Sequence, residues 1–287
     1  MDQSASVLST PGDALYIAFY PELRPFRTPL PSAADAPSAF VISNSLTVSN
    51  KAETGKSRYN LRVVETLAGA RVLSRVLGIC YDPKERLTYR QVLQNWIQRE
   101  GEVEDDEEHL EDAITALLDS GSLEKLKGKT QTGVTLSEMA EMCGLDKEEF
   151  HRVFLSWVDG IFRISSFARL LRCQSSVEAT YFQLYKRAMH VFTEARRVLQ
   201  FRDLCVSPNA PKAVTLLQEL GKLMDESQQS CSQLFECSCP ELDSLTSLAK
   251  AHGAYGSRLT GEKLFRFQAS VAHLVCQELD GAAVLSP

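Results

Sequence analysis

The sequence predicts an α+β fold, because strand patterns dominate its beginning and helical patterns its second half. Residues alternate between apolar and polar around Leu15, Ile17 and Phe19, and a β-rich run follows over residues 40–48. Alternation with a period of two is typical of half-buried strands. We expect these two strands to belong to one sheet.

Five prolines lie between the two predicted strands, at positions 21, 25, 29, 31 and 37. Proline has no backbone N–H to donate to a strand ladder, and it is a strong signal for turns and loops. We therefore expect residues 21–38 to form a surface loop.

Helices are predicted wherever apolar residues recur on one helical face. Three such stretches cover residues 61–76, 181–199 and 214–231. A further helix should begin at Pro240, which suits a first helical turn, with Glu241 and Asp243 near its positive end and Gly253 after its last apolar position.

Composition narrows the class of protein. The chain has 287 residues, 44% of them hydrophobic, and a formal net charge of −6. An acidic chain lacks the broad basic field that attracts nucleic acid or anionic lipid, so we expect neither partner. Eight cysteines without a secretory signal favour reduced thiols in the cytoplasm. No apolar run approaches the roughly 20 residues that cross a bilayer.

Three local patterns have a functional and a structural interpretation. The acidic stretch 100–112 is expected to be a solvated insertion, since its like charges repel one another. Residues 135–150 resemble a helix-turn-helix in outline, but Glu148 and Glu149 would face phosphates, so a helical hairpin is favoured. Cys231, Cys237 and Cys239 lack a second Cys or His pair at zinc-site spacing, which favours packing over metal binding.

An ordered series of segments resembles the fungal galactokinases. The segments are residues 1–7, 14–19, 40–51, 59–65, 182–191, 225–228, 234–242 and 256–261. The resemblance covers most of residues 1–157 and 178–261, and it implies the GHMP superfamily of sugar and metabolite kinases. It implies a remnant of the N-terminal catalytic domain over 1–58 and a helix-rich C-terminal domain with its own antiparallel sheet over 59–261. Residues 100–112 and 158–177 would be insertions, and 262–287 a tail unlike the family.

The resemblance also implies a reaction, the ATP-dependent phosphorylation of galactose to galactose 1-phosphate with Mg²⁺. Asp2 matches the catalytic aspartate beside the anomeric hydroxyl, and Tyr59 matches a tyrosine that contacts the sugar. From spacing alone, Asp2 is an ordinary acid near a terminus and Tyr59 a residue at the start of a helix.

A glycine pair is the candidate for the nucleotide. Gly256 and Gly261 could form a tight turn that allows close backbone approach to a ligand. A plain loop is the alternative on spacing alone, and Glu262 adds negative charge where the family continues with small residues.

Two family segments do not occur within these 287 residues: the glycine- and serine-rich phosphate loop and the galactokinase signature that grips the sugar. Preorganised backbone donors usually stabilise phosphoryl transfer most strongly. We therefore expect this polypeptide, as a truncated homologue, to be weakly active or inactive as an enzyme. The alternative is a non-catalytic sensor of galactose and ATP, which would bind a regulatory protein partner that represses transcription.

Overall fold

The computed structural model describes residues 7–30, 38–48, 57–82, 84–99, 109–156, 177–208, 210–211, 213–260 and 268–276. It confirms the α+β class, with many helices and small antiparallel sheets. The chain divides into two compact units. We call residues 50–193 the helical unit, and residues 1–49 together with 194–287 the sheet unit.

The helical unit is built around a helix whose apolar face is buried, as predicted. Its elements are α1 (Tyr59–Val76), α2 (Tyr89–Arg99), α3 (Leu110–Asp119), a 3₁₀ turn (Ser122–Leu126), α4 (Leu136–Cys143), α5 (Lys147–Phe150), a π turn (His151–Leu155) and the first residues of α6 (Leu184–Val206). Leu61, Val64 and Val72 of α1 are buried, because the 3.6-residue period places them on one side. Tyr181 is predicted to lie on the apolar face of a helix over residues 181–199, but it lies before α6 and is exposed.

The sheet unit carries the remaining elements. They are β1 (Asp13–Ala18), β2 (Arg24–Pro29), β3 (Ser38–Val48), α7 (Ala213–Ser230), a second π turn (Cys231–Phe235), α8 (Pro240–Ala251), β4 (Gly256–Thr260) and β5 (Gln268–Cys276). Leu217, Leu220 and Met224 of α7 form a core cluster, which confirms most of the predicted helix face, whereas Val214 at its start is exposed. Helix α8 begins with Pro240 at its N-terminal turn, as expected.

Two predictions about the strands are wrong. Strands β1 and β3 do not share a sheet: β1 pairs with β2, and β3 pairs with β5. Residues 24–29 form β2 instead of belonging to a loop. Pro25 lies opposite Ile17 and Pro29 opposite Asp13 in a two-stranded ladder. A strand with only one neighbour has an edge that needs no donor, so prolines are tolerated there.

The three-stranded sheet of this unit has the order β3-β5-β4, and all pairs are antiparallel. Its central strand, β5, lies within residues 262–287, which the sequence predicts to be a tail unlike the family. Part of that tail therefore completes the sheet. Most of the predicted insertions, residues 100–108 and 158–176, lie outside the described residues.

A buried ion pair connects α1 to the start of α6 in the helical unit. The Glu65 side chain on α1 is fully buried, and its Oε2 accepts hydrogen bonds from Arg187 Nε at 2.6 Å and Arg62 Nη1 at 3.1 Å. Its Oε1 accepts the backbone N–H of Gln183 at 2.7 Å. Both carboxylate oxygens thus have charged or polar partners, which offsets the cost of burial.

Helix α4 begins with a capping box. Thr135 Oγ1 accepts the Glu138 N–H at 3.3 Å, and Glu138 Oε2 accepts the Thr135 N–H at 2.8 Å. The helix ends at Gly144, which has a φ of +72°. Asp146 then caps α5 by accepting the N–H of Glu149. The structure therefore has two consecutive short helices where the sequence predicts a helical hairpin.

Removing one member of the buried ion pair should be costly. We expect Glu65→Leu to lower the free energy of unfolding by about 3–5 kcal/mol, because Arg187 then stays buried without its carboxylate. The double variant Glu65→Leu/Arg187→Met should lose less. Urea denaturation measures both, and the exposed Glu141→Gln of α4 is the control. Equal losses in the single and double variants would contradict this account.

The capping box should make stability depend on pH. The backbone N–H of Thr135 lowers the pKa of Glu138 below its ordinary value. A lowered folded pKa stabilises the protein above the unfolded value of about 4.3, and this contribution is lost as the pH falls through the folded pKa. Glu138→Gln keeps an acceptor but does not titrate, so its thermal unfolding should lack this part of the acid loss. Identical acid profiles would contradict the prediction.

Candidate functional site

The predicted site residues fall into three groups. Asp2 and Gly261 lie outside the described residues. Tyr59 is the first residue of α1 in the helical unit, and Gly256 is the first residue of β4 in the sheet unit. The assignment of these four residues to one site therefore remains a prediction.

Tyr59 is accessible to a ligand. Its exposed fraction is 63%, whereas Asn60 and Leu61, which follow it, are buried. The helix therefore begins at a residue whose ring lies at the surface while the next turn anchors it. An exposed tyrosine offers an apolar ring and a hydroxyl, which together suit contact with a sugar.

Gly256 does not lie in a turn, so the predicted tight turn over residues 256–260 is wrong. These residues form β4, paired with β5. A Cβ on Gly256 would lie 2.3 Å from the carbonyl oxygen of Gly221 on α7, and a Cβ on Gly221 would lie 2.2 Å from that of Tyr255. The absent side chains let α7 and β4 touch through their backbones. The space beside Gly256 is thus filled by this chain, not left for a phosphate.

Helix α7 also satisfies donors along one edge of β4. Asp225 Oδ1 accepts the Ser257 N–H at 2.9 Å, and Gln228 Oε1 accepts the Leu259 N–H at 2.8 Å. Residues three apart share a helix face, and donors two apart share a strand edge, so the two spacings match. An edge strand whose donors are occupied in this way is held in register.

The glutamine of this contact is itself held in place. Gln228 Nε2 donates to Asp243 Oδ1 on α8 at 2.8 Å. The same oxygen accepts from Ser238 Oγ at 2.7 Å, and the other carboxylate oxygen accepts from Ser232 Oγ at 3.2 Å. Both ends of the Gln228 amide are therefore used, which fixes its orientation.

A second carboxylate network holds the middle of β4. Glu194 Oε1 accepts from Arg258 Nη1 at 3.2 Å and from the hydroxyl of Ser227, while Oε2 accepts from Arg197 Nη1 at 2.5 Å. A carboxylate with three donors is fixed in position by them. The network therefore suits positioning of β4, the strand that leads toward Gly261.

Two hydrogen bonds lower the pKa of Glu241 near the start of α8. One comes from the backbone N–H of Glu241 itself and the other from the Cys239 thiol.

Within the described ranges, no three His, Cys, Asp or Glu side chains converge as a metal site would require. These residues thus do not supply a protein cage for Mg²⁺. No described helix is long and apolar enough to cross a membrane.

Sequence reasoning missed the residues that do most of this positioning. Asp225 and Gln228 lie in a segment that carries the family resemblance, but neither has a predicted role. Their spacing gives no signal, because both belong to an unbroken run of polar residues, 225–230, at the end of α7. Glu194 and Arg258 are 64 residues apart in sequence, and no local pattern connects them.

Comparison with known proteins finds one matching family model and several related proteins. Residues 212–262 match the family described as GHMP kinases C terminal. The chain is 34% identical over 278 residues to the galactokinase of Saccharomyces cerevisiae, covering 91% of this chain and 48% of that protein. It is 36% identical to the galactokinase of Dictyostelium discoideum, with 91% and 47% covered, and 36% identical to that of Candida parapsilosis, with 97% and 51% covered. The chain thus spans about half the length of these curated relatives.

Because the backbones of α7 and β4 touch, we predict that Gly221→Ala destabilises the protein, which is opposite to the effect that helix propensity alone would give. Gly→Ala in a helix interior ordinarily stabilises by up to about 1 kcal/mol. At Gly221 the added methyl meets the Tyr255 carbonyl, so we expect a loss of about 1–3 kcal/mol in the free energy of unfolding. Chemical denaturation measures it, and Gln229→Ala on an exposed position of α7 should change it by less than about 0.5 kcal/mol. Stabilisation by Gly221→Ala would refute the contact.

Proposed function

We propose that this chain, a homologue of the galactokinases of the GHMP kinase superfamily, is built for the ATP-dependent phosphorylation of galactose to galactose 1-phosphate. The observation that carries the proposal is identity of about one third to galactokinases over nine tenths of the chain. The cysteine usage favours the cytoplasm as its location.

The acceptor side of the reaction is assigned to Asp2 and Tyr59. A carboxylate beside the anomeric hydroxyl would orient it or take its proton as the new O–P bond forms. The exposed ring and hydroxyl of Tyr59 would hold the sugar. Support for Tyr59 comes from its accessibility at the start of α1, and support for Asp2 comes from family resemblance alone.

The nucleotide side is assigned to the segment 256–261, with Gly261 as its candidate contact. Gly256 would act indirectly and would not touch the nucleotide, because its contact with Gly221 sets the position of β4. Asp225 and Gln228 fix the same strand through the Ser257 and Leu259 N–H groups. Positioning of this kind matters in phosphoryl transfer, where catalysis is mostly orientation and electrostatic stabilisation.

The family resemblance is the only support for Mg²⁺ as a cofactor. The described residues hold no group of carboxylates or imidazoles suited to it. When bound, the ion would neutralise charge on the phosphates. The chain's own contribution to the reaction would come from the residues that contact the sugar and those that position β4.

We further propose that a polypeptide of these 287 residues is a weak enzyme. The sequence contains no glycine-rich phosphate loop, whose backbone donors would stabilise the transferred phosphoryl group. A sugar contact at Tyr59 without that loop suits the second candidate, a galactose and ATP sensor that binds a regulatory protein partner. Binding without turnover separates the two.

An assay of the purified 287-residue chain tests the proposal. Galactose-dependent ADP release should stay below roughly 1 per second, the low end of ordinary enzymes. Calorimetry should still detect galactose binding, and Tyr59→Ala should weaken it about tenfold, or about 1.4 kcal/mol. Tyr181→Ala, which removes another exposed tyrosine, is the matched control.

The possible outcomes separate the claims. Turnover of roughly 10 per second or more would contradict weak activity and leave the kinase assignment standing. Binding of galactose and ATP without turnover, followed by nucleotide-dependent capture of a partner, would favour the sensor. A chain that neither binds galactose nor releases ADP would contradict the proposed function as a whole.

A further inference from the structure

Two cysteines meet where the second π turn leaves α7. Cys231 is 5% exposed and begins that turn, and Cys237 is half-buried and follows it. Glu236 between them has a φ of +55°, a left-handed conformation that reverses the chain. The two cysteines are thus brought together by the backbone, six positions apart in sequence.

The contact between them is direct. The Cys231 carbonyl accepts the Cys237 N–H at 3.0 Å, and the Cys237 thiol lies 3.5 Å from the same oxygen. A backbone hydrogen bond of this kind holds two residues close, as disulfide geometry demands, with α-carbons about 4.4–6.8 Å apart. The structure therefore presents both residues as thiols whose main chains are held together by this hydrogen bond.

We propose that Cys231 and Cys237 form a dithiol site that low-molecular-weight disulfides, such as oxidised glutathione, convert to an intramolecular disulfide. The half-buried Cys237 loses its proton to solvent and attacks one sulfur of the small disulfide. A protein–glutathione disulfide forms, and one glutathione leaves as a thiol. The Cys231 thiolate then attacks the Cys237 sulfur and expels the second glutathione. Two protein thiols are oxidised, and one small disulfide is reduced to two thiols.

The environment of Cys231 favours its role in the second step. In the reduced protein the hydrogen bond from the Cys237 thiol is the largest cause that lowers the pKa of Cys231, the charge of Arg258 adds to it, and burial acts in the opposite direction. Cys237 has lost that thiol by the second step, so the charge of Arg258 is then the largest contribution that still favours the Cys231 thiolate. A lower pKa raises the thiolate fraction near neutral pH. Cys231 is also shielded from bulky reagents, so it is suited to resolve a mixed disulfide at its neighbour.

A third cysteine nearby serves as an internal control. Cys239 precedes α8, and its thiol hydrogen-bonds to the carboxylate of Glu241 on that helix. It is therefore engaged with a different partner from the Cys231–Cys237 pair. The proposal requires that oxidation pass over Cys239.

The site adjoins the network that holds β4. Ser227 lies one helical turn before Cys231 on α7, hydrogen-bonds to the Cys231 thiol, and donates to Glu194, which also binds Arg258. Oxidation removes the Cys231 thiol from that arrangement and ties the end of α7 to the segment before α8. We expect slower amide hydrogen exchange over residues 231–239 in the oxidised protein.

Mass spectrometry of the full 287-residue chain tests the proposal. The reduced protein is exposed to oxidised glutathione, remaining thiols are alkylated, and the protein is digested with trypsin. All three cysteines lie in one peptide, residues 223–250. We expect that peptide to lose two hydrogen atoms and to carry a single alkyl group, on Cys239.

Variants make the result decisive. Cys239→Ser should oxidise as the wild type does, and Cys237→Ser, at a half-buried position, should lose the internal disulfide while keeping the native circular dichroism spectrum. Alkylation of all three cysteines at every glutathione ratio would overturn the proposal. A bond between Cys237 and Cys239, or a stable glutathione adduct on this peptide of the wild type, would overturn it too.

Discussion

The contact between α7 and β4 is the constraint on which the organisation of the sheet unit depends. Gly221 and Gly256 allow the helix and strand backbones to touch, and no larger residue fits at either position. Once the backbones are this close, Asp225 and Gln228 reach the strand's outward N–H groups. The strand is thereby held on one edge by β5 and on the other by a helix, so neither edge is left for another chain.

The charged groups of this protein are used mainly for positioning. Glu65 is neutralised inside the helical unit by two arginines, and Glu194 inside the sheet unit by two arginines and a serine. Fully partnered carboxylates of this kind hold backbone elements in place. Chemistry on a sugar needs a carboxylate with a vacant side, and the proposed function gives that role to Asp2.

Local patterns predict much of the fold and little of its long-range pairing. The faces of α1 and α7 and the start of α8 follow from periodicity and capping, which act over a few residues. Strand β2 is not predicted, because its prolines are a local signal for a loop. The sequence does not show that β2 has only one neighbouring strand, which is why Pro25 is tolerated there. The turn expected at Gly256 is a strand, because its glycine serves close packing against Gly221, which lies 35 positions earlier. Tyr59 could be singled out only by resemblance, and its exposure agrees with that role.

The strand order β3-β5-β4 has a consequence for how the chain matures. The two outer strands are separated by more than 200 residues, and the strand that joins them follows both of them in the sequence. Pairings between such distant segments form slowly, since a long loop must close before any contact rewards it. During synthesis, β3 and β4 must therefore wait for residues 268–276 to leave the ribosome. Throughout that interval the ladder edges that β5 will cover are open, and unpaired strand edges are prone to aggregation.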